Sequence, residues 1–265
     1  MGFLLAMVIW GLMAAGVYYA YEGLVERIPA ISAAGSRIDS QFLLTLIITG
    51  IAFVLVQVVL GYFIFRYRDR GTGKVRYTHG NSAIEVGGVI VTGVTFVTLA
   101  IMGQFVWADV HLTSSPADAI RVEITAEQFL WNMRYPGKDG RFGKTSPRYY
   151  KSVGNTVGIL PDDPQGKDDV IIQNNLVVPV NRPVELTLRS KDVIHSFFIP
   201  ALRLKQDTMP GLAVPLRFTA RETGEYEIAC AELCGMAHFR MRGLMKVVTA
   251  EEYEAWLAQQ QPVQM

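Results

Sequence analysis

Scarcity is informative in this chain of 265 residues, which has two cysteines, four histidines and a formal net charge of +1. Two cysteines are too few for a disulfide framework. A balance this close to neutral leaves no basic footprint for nucleic acid, and no nucleic-acid partner is expected. Charge is missing locally as well. No Lys or Arg precedes the apolar run Phe3–Tyr19, and no charged side chain appears before Glu22. A secretory leader opens on a basic stretch and closes on a small-residue cleavage site. The run is therefore read as an extra membrane helix within residues 1–30, with cleavage near the Ala-rich stretches at Ala14 or Ala33 as the alternative. The start also lacks a cysteine, which removes a lipoprotein anchor from consideration.

Apolar residues are what the chain has in quantity, half of the total, and they concentrate before residue 110. Ser40–Phe65 is strongly interrupted only by Gln41 and Gln57. It exceeds the roughly 20 residues that cross a bilayer core. Ile84–Trp107 follows, with Glu85 near its start as its one charge. Between the two runs lie Arg66, Arg68, Arg70, Lys74 and Arg76. The positive-inside rule puts such a loop in the cytoplasm. The C-terminal half then lies outside and, with three crossings, so does the N-terminus. The expectation is a membrane α-helical anchor of two or three transmembrane helices, with a hairpin over residues 40–110. Gly87 and Gly88 allow close helix contact there. Buried core helices are the alternative for all three runs.

After Asp109 the composition changes. Thr113–Pro116 reads as a linker, and short β-branched segments follow at Arg121–Thr125, Val170–Val180, Val184–Leu188, Val193–Ile199, Val214–Thr219, Glu225–Ala229 and Leu244–Val248. Short strands separated by Pro, Gly, Asn and Asp predict an all-β sandwich or barrel. Residues 137–169, rich in Gly, Pro, Lys and Asp, read as a long surface loop or insertion. Thr249-Ala250-Glu251-Glu252 is a capping box, which predicts a helix from Ala250 to about Gln260. No internal repeat is evident.

The residues that carry chemistry converge in Cys230-Ala231-Glu232-Leu233-Cys234-Gly235-Met236-Ala237-His238-Phe239-Arg240-Met241. Thiolate, imidazole and thioether form a soft ligand set suited to copper. His195, on a strand upstream, can reach the same loop. A mononuclear blue-copper site needs one Cys, two His and a weak Met. This set has one Cys more, and two thiolates can bridge two coppers. Structural zinc uses Cys and His at comparable spacing, and a disulfide between Cys230 and Cys234 is open on the outer side of a membrane. Met241 and His195 count against both.

Cys-Ala-Glu-Leu-Cys-Gly-x-x-His-x-x-Met, preceded by Val193-Ile194-His195-Ser196-Phe197 and by Leu204-Lys205-Gln206-Asp207-Thr208-Met209-Pro210-Gly211, closely resembles the cytochrome c oxidase subunit II family of haem-copper respiratory oxidases. The resemblance runs from about Gln41 to Trp256. It implies a cupredoxin-like sandwich over residues 117–260, interrupted by the insertion 137–169 and carrying a dinuclear copper A centre. In that reading Cys230 and Cys234 bridge both coppers. His195 and Met241 complete one copper, and His238 and the backbone carbonyl of Glu232 complete the other. The Glu232 carboxylate reaches magnesium or manganese at the interface with the catalytic subunit.

The resemblance further implies a subunit that takes electrons from cytochrome c or a similar carrier. It passes them to haem in subunit I, where oxygen becomes water and protons are translocated. Partners are that haem-bearing subunit and other oxidase subunits. The location implied is the inner (plasma) membrane of a bacterium, multi-pass, with the copper domain on the outer, periplasmic face. Two places depart from the family pattern. Phe129 stands where the electron-admitting tryptophan is usual, with Trp131 matching the next one; as plain strand aromatics, both would instead pack the sandwich. Glu85 matches a glutamate at the mouth of a proton channel, but Val86-Gly87-Gly88 replace the usual neighbours; otherwise it is a helix-start carboxylate. A quinol oxidase subunit II would lack the copper ligands, and nitrous oxide reductase would add a large propeller domain. A membrane-tethered copper-delivery protein would bind one copper reversibly.

Overall fold

The computed structural model describes residues 1–25, 28–69, 71 and 79–264. The chain divides into a helical unit, residues 1–28 and 39–105, and a β unit, residues 29–38 and 106–265.

Three long helices carry the apolar runs: α1 (Gly2–Val25), α2 (Ala33–Arg66) and α3 (Ser82–His111). Each is long and apolar enough to cross a bilayer. Their large side chains point outward: Ile84, Val89, Phe96 and Phe105 are each more than 70 % exposed, at 73 %, 73 %, 72 % and 73 %. Helices apolar all round in this way belong in a hydrocarbon solvent. Three of the hydroxyls inside them are satisfied locally, as that solvent demands. Thr45 donates to the Gln41 carbonyl at 2.8 Å, Thr49 to that of Thr45 at 2.8 Å and Thr95 to that of Val91 at 2.9 Å. Gly61 lets Trp10 of α1 come close to α2, since a Cβ there would sit 2.3 Å from its indole nitrogen. Asn81 caps α3 by accepting from the N–H groups of Ala83 and Ile84 at 3.0 and 3.4 Å. Arg66 closes the last turn of α2, where a cation suits the helix dipole. Arg70, Lys74 and Arg76 of the expected basic loop lie outside the described residues.

Both hairpin helices extend beyond the apolar runs. α2 starts at Ala33 because Ser32 Oγ accepts the Gly35 N–H at 3.0 Å. The added turns bring in Arg37, which pairs with Asp109 on the added end of α3.

The β unit is a sandwich of two five-stranded sheets, as the spaced short strands predict. The strands are β1 (Ile120–Glu127), β2 (Leu130–Tyr135), β3 (Val170–Gln173), β4 (Asn175–Pro179), β5 (Val184–Ser190), β6 (His195–Ile199), β7 (Leu204–Thr208), β8 (Val214–Phe218), β9 (Gly224–Cys230) and β10 (Arg242–Val248). One sheet runs β3-β2-β1-β5-β8 and the other β4-β10-β9-β6-β7. Alternate residues of the two inner faces make the core, with Ile124, Trp131, Met133, Tyr135, Leu176, Leu186, Leu188, Phe197, Ile228 and Met245 all fully buried. The helix α4 (Ala250–Ala258) begins with the expected capping box at Thr249 and Glu252.

Three strand readings change. Val170–Val180 is two strands in different sheets, because Asn174 turns the chain at φ 59°. Asparagine tolerates that left-handed conformation better than most residues. Its side chain also accepts the Trp131 N–H at 2.9 Å, which fixes the crossing. β2 and β7 are strands the spacing does not announce. β7 is an edge strand with polar side chains, so it lacks a full apolar face.

β2 is buried on both faces for a different reason. Trp131, Met133 and Tyr135 face the core, while Asn132 and Arg134 lie under residues 137–169. That segment holds two single 3-10 turns, Pro147–Tyr149 and Pro164–Gly166, and one β-bridge between Thr145 and Ile159, yet Asn155, Thr156, Val157 and Ile159 in its middle are buried. Arg134 donates to Glu123 at 2.7 Å, to the Gly143 carbonyl at 2.5 Å and to Asp169. Thr156 Oγ1 donates to Asn132 Oδ1 at 2.8 Å. Asn155 exchanges two 2.7 Å bonds with the backbone of Ile159.

Candidate metal centre

Strand register builds the site. β9 pairs with β10 so that Ala229 opposes Arg242, which makes Cys230–Met241 the loop of that hairpin. The Cys230 N–H donates to the Met241 carbonyl at 3.3 Å and closes its base. On the other side β9 pairs with β6, with Phe197 opposite Cys230. His195 is two residues before Phe197, hence on the same face and just beyond the end of β9. Ala231 N–H donates to the Ser196 carbonyl at 3.0 Å and carries the loop past it. Three neighbouring strands thus deliver His195, the two cysteines and Met241 to one end of the sandwich.

The donor atoms converge. Cys230 Sγ and Cys234 Sγ are 3.9 Å apart, and Cys234 Sγ stands 3.7 Å from His238 Nδ1 and 3.8 Å from Met241 Sδ. His195 Nδ1 is 3.2 Å from Met241 Sδ. One ligand atom from each of His195, Cys230 and Cys234 falls within 4.8 Å of the others. The Cys230 thiol also lies 3.2 Å from the Glu232 carbonyl oxygen. The sulfurs are too far apart for a bond of about 2.05 Å, and both thiols are free. Two sulfurs, two imidazoles, a thioether and a carbonyl around one small volume fit copper, for which thiolate and thioether are preferred donors. Burial pushes the Cys234 thiol up to about 11, and the neighbouring Cys230 adds to the rise. A metal arriving here has to displace protons.

One supporting residue escaped the sequence reading. Asp192 Oδ1 is 2.8 Å from His195 Nε2, which leaves Nδ1 turned toward the sulfurs, the usual way a carboxylate orients a ligating imidazole. Burial pushes the Asp192 carboxyl up, but hydrogen bonds from His195 and from the N–H groups of Gln128 and Val193 outweigh it and hold it below the usual carboxylate range. An acid three residues before a candidate ligand histidine is the signal that could have found it.

The remaining candidates separate. Trp131 is fully buried, packed edge-on against His195 with ring centroids 6.1 Å apart and against Phe197 at 5.2 Å. Phe129, in the turn between β1 and β2, is half-buried beside Gly235. Glu232 is exposed on the loop. Glu85 lies in the first turn of α3, in the helical unit, where a carboxylate suits the helix N-terminus.

Residues 155–248 match the family model described as cytochrome C oxidase subunit II, periplasmic domain. The chain is 38 % identical over 224 residues to the alternative cytochrome c oxidase subunit 2 of Bradyrhizobium diazoefficiens, covering 84 % of this chain and 80 % of that one. It is 30 % identical over 244 residues to cytochrome c oxidase subunit 2 of Cereibacter sphaeroides, covering 87 % and 78 %. The crystal structure of the periplasmic domain of subunit II of cytochrome oxidase of Bradyrhizobium japonicum aligns at 28 % identity and a TM-score of 0.40, over 55 % of this chain and 95 % of that one.

Proposed function

The chain belongs to the cytochrome c oxidase subunit II family, and from that premise we propose that it is the electron-accepting subunit of a respiratory haem-copper oxidase. The observation that carries the proposal is the convergence of soft donor atoms at one end of the sandwich. Cys230 and Cys234 would bridge two coppers, with His195 and Met241 completing one, and His238 and the Glu232 carbonyl the other. Such a copper pair supplies one-electron chemistry between cytochrome c or a similar carrier and haem in subunit I, where oxygen reduction to water is coupled to proton translocation. Asp192 holds His195 with Nδ1 toward the site. Trp131 buttresses the same imidazole from the core and cannot touch a donor directly. Of the two, Phe129, half-buried, is the one left to face a donor. The exposed Glu232 carboxylate would take magnesium or manganese at the interface with subunit I. Glu85 would serve a proton channel of that subunit.

The same reading assigns the parts of the chain. Residues 1–30 form an extra transmembrane helix, residues 40–110 a hairpin, and residues 117–260 a copper domain interrupted by 137–169. The arginines after α2 favour a cytoplasmic position for the segment between α2 and α3 in a bacterium, and with it a copper domain on the periplasmic side.

Copper analysis and low-temperature electron paramagnetic resonance of the full chain in detergent test the proposal. Two coppers per chain with one unpaired electron shared between them are expected. One copper with a localised signal, or zinc in its place, overturns the dinuclear assignment and favours a copper-delivery role.

A further inference from the structure

The ligand loop and the His195 segment belong to one sheet, but the residue that touches both comes from the other. Gln128 sits in the turn that joins β1 to β2. Its side-chain amide donates to the Cys234 carbonyl oxygen at 2.6 Å. Its backbone N–H donates to Asp192 Oδ2 at 2.7 Å, and the other oxygen of that carboxylate lies 2.8 Å from His195 Nε2. Gly235 makes the approach possible. It adopts φ +136°, and a Cβ there would stand 2.8 Å from Gln128 Nε2 and 3.0 Å from the Phe129 ring. The turn itself is pinned behind Gln128. Glu127 pairs with Lys191 and accepts from Asn132 Nδ2 at 3.0 Å, while the Lys191 N–H donates to the Ala126 carbonyl at 3.0 Å.

We infer that Gln128 is a positioning residue that clamps the cysteine loop to the His195 segment and so sets the direction of the Cys234 sulfur. The inference deepens the copper reading given above and rests on it for its consequence, though the clamp itself is a property of the chain without metal. Cys234 is only 3 % exposed while Cys230 is half-buried. A reagent reaches Cys234 when the loop lifts from Gln128. Removing the amide therefore opens Cys234 and leaves Cys230 as it was.

The test uses the full chain in detergent, first free of metal. Alkylation of the two cysteines by iodoacetamide is followed separately by mass spectrometry at one pH. Gln128→Met keeps the length and loses the donor. It is expected to speed Cys234 about fivefold with little change at Cys230, the factor that one lost hydrogen bond of ordinary net strength produces. Gln128→Glu, ionised and without an N–H to give, is expected to open Cys234 at least as far. Thr249→Ala, a capping change at the remote helix α4, serves as a control for plain destabilisation and leaves the ratio of the two rates unchanged. Equal rates in Gln128→Met and the parent, or a rise shared by both cysteines, overturn the inference. The second arm loads the same proteins with copper. Retained copper with an altered hyperfine pattern in Gln128→Met supports the positioning role, and an unaltered pattern refutes it. A parent that fails to bind two coppers while the alkylation result holds leaves the clamp standing and removes the copper reading.

Discussion

Two irregular segments of the β unit differ in how they treat their polar atoms. Residues 137–169 turn theirs on the protein. Thr156 reaches Asn132, Asn155 ties itself to Ile159, and Asp169 meets Arg134 and the Gly143 N–H. Buried polar groups partnered in this way fix one packing arrangement, though Asp169 Oδ1 itself has no partner among the described residues. Around the loop Cys230–Met241 its sulfurs and the imidazoles of His238 and of His195, from β6, chiefly face one another, at separations of 3.2 to 3.9 Å. Soft donors aimed at a common point gain little from each other and much from a metal. The first segment is thus a cover for the outer face of a sheet, and the second, on the copper reading, is a receptacle. The comparison makes a demand: damage to one segment should leave the property of the other intact.

The largest effect belongs to the receptacle. Cys234→Ser removes one of the two sulfurs proposed to bridge the coppers and keeps the size of the side chain. Copper is expected to fall from two per chain to one or none, with complete loss of the shared-electron signal. The thermal midpoint of the metal-free chain should stay close to that of the parent. Retention of two coppers would place the bridge elsewhere and break the comparison at its functional end.

Next comes the cover. Arg134→Met leaves Asp169 buried without its cation, and breaking a buried pair from one side costs about 3–5 kcal/mol. Denaturant unfolding of the metal-free chain should show that loss, while folded protein still takes up two coppers. If copper binding falls in proportion to stability, the two segments form one cooperative structure.

The proposed receptacle was the more legible of the two in sequence, because all its candidate ligands except His195 lie within one twelve-residue stretch, Cys230 to Met241. The membrane runs were legible from length and absence of charge. The cover was not. Asn155 and Thr156 look like surface residues until Ile159 and Asn132 are known to be their partners. Its anchor Arg134 lies on β2, a strand hidden by the aromatic segment in which it begins. β7 was missed because an edge strand needs no apolar face. The breadth of Val170–Val180 concealed the turn at Asn174, whose partner Trp131 is 43 residues away. Gln128 reaches Asp192 and Cys234 through bonds spanning 64 and 106 residues, distances at which local pattern carries no information. Trp131 and Phe129 looked alike as aromatics, and only the fold buries one fully in the core and leaves the other half-buried beside Gly235.

The smallest effect sharpens the cover itself. Thr156→Val removes the hydroxyl that donates to Asn132 Oδ1 at 2.8 Å and nearly preserves the side chain's shape. Asn132 keeps a weaker donor, Gln173 Nε2 at 3.4 Å, so its oxygen is not orphaned. The expected cost is that of one ordinary hydrogen bond, about 1 kcal/mol. In a domain of this size that lowers the thermal midpoint by about 3 °C. Copper stoichiometry should not move. A loss as large as that of Arg134→Met would mean that residues 137–169 are held down at their buried middle rather than at the ion pair near their ends. The segment would then be a plug driven into the sheet by Asn155 and Thr156, with Arg134 and Asp169 only neutralising each other behind it.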